Sequence, residues 1–178
     1  MKSFFAGKSA SLISSSLPEG VVRFGEKWVT SELIQFPELN TACFIRGKFD
    51  IVLEFVDQTY GVVDFKTSEA RPEHIPFYSR QLHAYAYALE NPKPGDFGLN
   101  PISRLGLLCV EPIAMDRILQ DTIAYIGNAT WLECPKDTMG FLRFLQKVVA
   151  VLENPEPPDP NPECSWCQYR FDARDHGM

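Results

Sequence analysis

No run of apolar residues in this chain approaches the roughly 20 needed to cross a bilayer as a helix, so a membrane span is not expected. The first residues, Met1-Lys2-Ser3-Phe4-Phe5-Ala6, lack the longer apolar segment of a secretory signal, which leaves the cytoplasm as the expected location. Cysteine is too sparse for a disulfide framework. The five, Cys43, Cys109, Cys134, Cys164 and Cys167, are odd in number and scattered through 178 residues. An excess of positive charge is also missing. Against 17 Lys+Arg stand 23 Asp+Glu, a net charge of -6, which excludes a protein that coats nucleic acid by bulk attraction. Local clusters of carboxylates and cations remain compatible with that total. Histidine is limited to His74, His83 and His176, and there is no internal repeat. What is present is ordinary: 45% hydrophobic and 22% charged residues, which rules out wholesale disorder.

Residues 1–18 are small, polar and Ser-rich, with room for a short helix around Ser9–Ser16. Val21–Phe36 suits an extended strand, and the β-branched and aromatic content of Cys43–Val56 predicts another. Asp57-Gln58 offers a turn into Tyr60–Lys66, a strand that must pair antiparallel because the connection is so short. From Pro76 to Glu90 the period becomes helical, with Tyr78, Leu82, Tyr85, Ala86 and Leu89 on one face. Asn91-Pro92-Lys93-Pro94-Gly95 stops it. Leu105–Val110 reads as a buried strand, and Gly127-Asn128 as the turn of a hairpin between Thr122–Ile126 and Ala129–Cys134. Phe141, Leu142, Leu145, Val148, Val149 and Leu152 mark an amphipathic helix. Five prolines within Asn154–Glu163 make an extended arm. The expected organisation is a core over residues 1–153, with an arm and a Cys-x-x-Cys clasp packing on it over 154–178.

The chemistry concentrates in Gly47–Tyr85. Residues two apart on a strand share a side, so Asp64 and Lys66 project together while Phe65 points into the core. Asp50, on the neighbouring strand, can join them. Apolar neighbours Ile51, Val62, Val63 and Phe65 make unpaired charge costly there, and a divalent cation held by Asp50 and Asp64 would relieve that cost. Hard oxygen donors suit magnesium or manganese. Lys66 could then orient a water and offset charge developing on a phosphate. Gln81 and Tyr85, four residues apart, share one face of the following helix.

Gly47-Lys48-Phe49-Asp50, Val63-Asp64-Phe65-Lys66-Thr67-Ser68 and Gln81-Leu82-His83-Ala84-Tyr85 resemble the PD-(D/E)xK nuclease superfamily, nearest its RecB-type branch with the CRISPR-associated exonucleases. The resemblance implies an α/β fold with a mixed central β-sheet flanked by helices, the restriction-endonuclease-like core, in a single domain. It implies a magnesium- or manganese-dependent deoxyribonuclease, an exonuclease by preference, acting on single-stranded or duplex DNA ends. A helicase or recombination partner fits the same branch. Asp50, Asp64 and Lys66 would be catalytic, and Asp50, Asp64 and the Phe65 carbonyl would hold the metal. Gln81, Tyr85, Arg80 and Lys48 would face DNA.

Two departures from the family pattern stand out. No histidine precedes Asp50, and of the upstream acids Glu19, Glu26, Glu32 and Glu38, Glu32 is the best-placed candidate for the missing ligand. The lead-in is short, so the chain is truncated, is part of a longer product, or has lost that ligand. The alternative function is a catalytically impaired DNA-binding or scaffold protein of the same fold; a plain α/β interaction module is a third reading. The second departure is Ala173, which stands where relatives with an iron–sulfur cluster carry a third C-terminal cysteine. Neither a cluster nor zinc is therefore expected at Cys164/Cys167. His74 and His83 are expected on the helix surface, with His83 able to reach a phosphate. His176 is expected to be frayed.

Overall fold

Tyr60–Lys66 alternates between two buried faces, Val62 and Asp64 on one and Val63 and Phe65 on the other, as a strand at the centre of a covered sheet must. The computed structural model describes residues 2–120 and 122–175. His176 lies outside them. The strands are β1 (Gly20–Gly25), β2 (Trp28–Thr30), β3 (Ile34–Phe36), β4 (Thr41–Cys43), β5 (Arg46–Lys48), β6 (Ile51–Phe55), β7 (Tyr60–Lys66), β8 (Ile102–Leu119) and β9 (Thr122–Glu133). The helices are α1 (Lys2–Phe5), α2 (Ile75–Glu90), α3 (Thr138–Glu153) and α4 (Ser165–Asp175).

Five strands form one mixed sheet in the order β1-β6-β7-β8-β9. Its single parallel pair is β7 with β8, and α2 makes the long crossover that a parallel pair requires. Two apolar layers cover the sheet. On the α2 side, Val52, Val62, Leu105 and Leu107 meet Leu82, Ala86 and Leu89. On the other, Ile51, Val63, Phe65 and Leu108 meet Phe5, Ile13 and Leu17 from the N-terminal segment.

The observed elements correct several expectations. Val21–Phe36 is three strands, broken at Glu26, which adopts a positive φ of 48°. Cys43–Val56 is also three pieces, because β5 leaves the main sheet to pair with β2 and the chain bends at Asp50 before β6. Gly127-Asn128 is no hairpin turn: Gly127 pairs with Pro112 and Asn128 with Glu111 inside a β8–β9 ladder that runs on past them. Gly127 serves there as a site of close approach, since a Cβ would strike the Glu111 carbonyl. The register shifts just beyond, between Pro112 and Ala114, and Pro112 has no N–H to give the ladder. The helix expected at Ser9–Ser16 shrinks to a 3-10 turn, Ala10–Leu12, and α1 and α4 form where none was predicted.

Residues 1–143 form one compact unit, which holds the sheet, and residues 144–178 a second. The second contains the end of α3, the proline-rich segment and α4.

His83 is buried on α2 rather than displayed on its surface, and it ties α2 to the start of α3. Its Nδ1 lies 2.6 Å from the Ser79 carbonyl, and its Nε2 accepts the Asp137 N–H at 2.7 Å. Both nitrogens are engaged, so the neutral ring carries its proton on Nδ1 and has no valence left for a phosphate. Phe141 stacks on the ring at 6.0 Å. His83→Ala should therefore lower the unfolding free energy by about 2–4 kcal/mol, through a cavity and an orphaned N–H. Urea denaturation at constant m-value measures this, and a loss under about 0.5 kcal/mol would contradict it.

Candidate active site

The β6–β7 ladder ends at the pair Ile51↔Val63. Beyond it the Phe65 N–H has lost its strand partner, because the chain before Ile51 turns away into β5. The Asp50 carboxylate takes that place: its Oδ2 accepts the Phe65 N–H at 2.8 Å. Asp50 thus sits in a bend beside β7, not within a strand. Its Oδ1 faces the Lys2 ammonium at 2.6 Å.

Asp64 lies on the α2 side of β7 and is only 3% exposed. Its Oδ1 accepts from Gln81 Nε2 at 3.1 Å. Its Oδ2 is buried and paired with the Lys66 ammonium, at 2.6 Å from Nζ. Burial pushes the carboxyl above the usual carboxylate range, more strongly than the Lys66 ammonium pulls it down, and the nearby Asp50 charge adds to the rise. Lys66 Nζ also donates to Gln81 Oε1 at 3.3 Å and lies 4.2 Å from the centre of the Tyr78 ring. The ammonium is held from three directions.

Gln81 and Tyr85 occupy successive turns of α2, and the Gln81 amide donates to Tyr85 Oη at 3.0 Å. One glutamine therefore joins the acid, the lysine and the tyrosine. Gly47 on β5 is what admits Tyr85: a Cβ there would stand 2.8 Å from Tyr85 Cε1. The three sequence elements, Gly47–Asp50, Asp64–Lys66 and Gln81–Tyr85, meet at one end of β7. Arg80 is exposed beside Gln81 on α2. Lys48 is on β5, with its Nζ 3.5 Å from Glu26 Oε1.

Lys2, which sequence reasoning passed over, and Glu26, one of the four upstream acids it weighed, lie here. Glu26 precedes β6 in space because β1 pairs with β6 through Gly25↔Ile51, and its N–H donates to the Asp50 carbonyl at 2.9 Å. Its Oε1 lies 3.3 Å from the same Lys2 ammonium that contacts Asp50. Glu32 is elsewhere: its N–H donates to the Asn91 carbonyl, past the end of α2 and about 15 Å along that helix from Gln81. The β1–β6 register is what brings Glu26, and not Glu32, beside Asp50.

The donor set fits a hard divalent cation. The buried Asp64 carboxylate and the Asp50 carboxylate are hard oxygen donors, and the Phe65 carbonyl lies on the chain between Asp64 and Lys66. Among the described residues, however, no group of three or more His, Cys, Asp or Glu converges to hold an ion. Among those residues, too, no helix is long and apolar enough to cross a membrane.

A model of the PD-(D/E)XK nuclease superfamily matches residues 10–171 of the chain. No curated protein matches it.

The raised Asp64 carboxyl has a consequence for stability. An acid whose folded pKa exceeds its unfolded value contributes stability below the unfolded value, and that stability is lost as pH rises through the folded one. Without divalent ions, Asp64→Asn should be more stable than wild type at neutral pH, and the gap should close as pH falls toward 4. Urea midpoints of both proteins from pH 4 to 8 test this; a gap that widens toward low pH would refute it.

Proposed function

The chain belongs to the PD-(D/E)XK nuclease superfamily, and from that premise we propose that it is a magnesium- or manganese-dependent deoxyribonuclease of the RecB-type branch. The reading has it working as an exonuclease on single-stranded or duplex DNA ends in the cytoplasm, beside a helicase or recombination partner. One observation carries it most: the Asp64 carboxylate is 3% exposed, paired at 2.6 Å with the Lys66 ammonium and held by Gln81, and burial still pushes its pKa up. A fold kept only for packing has no need of so costly a group.

In this reading Asp50, Asp64 and the Phe65 carbonyl hold the metal. When bound, the metal lowers the pKa of water and stabilises charge on the phosphate. Lys66 orients the attacking water and offsets negative charge as it builds on the phosphate oxygens. Gln81 fixes both Asp64 and Lys66, and Tyr85 fixes Gln81. The DNA backbone runs past Lys48 and Arg80, despite the acidic total. Arg46, with its guanidinium 5.2 Å from the centre of the exposed Trp28 ring, adds a cationic, stacking rim. The arm and Cys-x-x-Cys segment over 154–178 form an accessory element in this proposal.

A second reading has its own support. Lys2 neutralises Asp50, and the described residues hold no cluster of three ligands, which favours an impaired enzyme that still binds DNA. Cleavage of labelled single- and double-stranded DNA with magnesium or manganese separates the two. Under the first, wild type cuts, and Asp64→Ala and Lys66→Ala each lose about 100-fold or more in rate. Equal cleavage by wild type and both variants would refute the site. Binding without cleavage by wild type would establish the second reading.

A further inference from the structure

Helix α4 begins on a sulfur. Cys164 is its N-cap: the Cys164 carbonyl accepts the first helical bond, from Gln168 N–H at 3.0 Å. The cap's side-chain position is the one that Ser, Thr or Asp normally fills with an oxygen, which accepts the second and third N–H groups of the helix. Here the cap position carries the Cys164 thiol, and the backbone N–H groups of Cys167 and Trp166 hold its pKa below the ordinary thiol value. A local turn sets this up: the Cys164 N–H donates to the Asn161 carbonyl at 3.0 Å, and Asn161 Oδ1 accepts the Glu163 N–H at 2.9 Å. A thiol is a poor cap, and a thiolate, as an anion at a helix N-terminus, is a good one.

The second thiol stands one turn further on. Residues three apart on a helix have Cα atoms about 5 Å apart, inside the range that a disulfide spans. Both cysteines are half-exposed and line clefts of the second unit. Arg170 and Arg174 line the Cys167 cleft, while Glu163 and Asp172 line the Cys164 side, so the helix end rather than a surplus of cations favours the anion. Trp166 is 79% exposed and meets Tyr169 of its own helix edge-on, at 6.4 Å. No third or fourth metal ligand joins it among the described residues.

We propose that Cys164 and Cys167 form a redox-active dithiol whose co-reactant is a low-molecular-weight disulfide, Cys164 being the attacking nucleophile and Cys167 the resolving thiol. The Cys164 thiolate attacks one sulfur of the small disulfide, forms a mixed disulfide and releases one thiolate. Cys167 then gives up its proton and attacks the Cys164 sulfur, releasing the second small thiol and closing the Cys164–Cys167 disulfide. Two protein thiols are oxidised and one small disulfide is reduced to two thiols. The other cysteines are set apart from this chemistry. Burial pushes the Cys43, Cys109 and Cys134 thiols up, Cys134 to about 11, whereas the helix-end N–H groups of Cys167 and Trp166 draw Cys164 down.

The full chain, equilibrated across a series of reduced and oxidised glutathione, alkylated and mapped by mass spectrometry, tests the assignment. Wild type should lose two hydrogens, in a single bridge between Cys164 and Cys167. Cys167→Ser should stop at one glutathione on Cys164, and Cys164→Ser should leave Cys167 unmodified under the same conditions. At pH 7 iodoacetamide should label Cys164 at least about tenfold faster than Cys109 or Cys134. The proposal is overturned if the pair stays reduced in excess oxidised glutathione, or if the adduct in Cys167→Ser sits on Cys43. It is equally overturned if the purified protein carries stoichiometric zinc or iron that protects both thiols.

Discussion

A carboxylate taken almost wholly out of water governs the centre of this protein. Asp64 stands on the middle strand of a sheet covered on both faces, where charge is costly unless it is matched. Its surroundings are arranged around that cost. Lys66 comes from the same strand two residues on, and Gln81 comes from the helix that the parallel β7–β8 pairing obliges the chain to make. Even so, burial outweighs the Lys66 ammonium and draws the carboxyl toward its neutral form. In the proposed function this state is what a bound cation would relieve.

The same economy appears in the neighbours. Gly47 has no side chain because Tyr85 needs the space, and Tyr85 in turn holds the glutamine that touches both charged groups. Asp50 acts twice: it closes the ladder where β6 ends by accepting the Phe65 N–H, and it offers a second carboxylate to the same region. Its other oxygen is taken by Lys2, from a short helix at the far end of the sequence. The interplay of Lys2, Glu26 and Asp50 is the part of the site where structure and family pattern differ most, because the acids there are matched to an ammonium instead of converging as three ligands.

Much of this was legible before any fold was known. Local rules sufficed for β7, for α2 and its stop at Asn91-Pro92, for α3, and for the antiparallel pairing across the Asp57-Gln58 turn. Each has a period or a turn residue that acts within a few positions. The failures were also physical. The Gly127-Asn128 turn signal was overridden by a continuous ladder that made Gly127 a point of close approach. His83 was read by its polarity, but burial between α2 and α3 engaged both nitrogens. Cys43–Val56 looked like one strand because all its pieces have strand composition; only their separate partners, β2 for β5 and β1 for β6, divide it.

The sequence by itself determined the residue types and spacings of the chemistry: an aspartate and a lysine two apart on a strand, a second aspartate in the preceding arm, a glutamine and a tyrosine on one helix face, and a cysteine pair three apart. These are local facts, since strand and helix periods decide which side chains share a side. The tertiary structure decided what surrounds them. Burial of Asp64, its contact with Gln81, the Lys2 contact and the placing of Glu26 rather than Glu32 beside Asp50 all follow from the order of strands and the register between them. Those depend on pairings made across long stretches of chain, which no window of sequence contains.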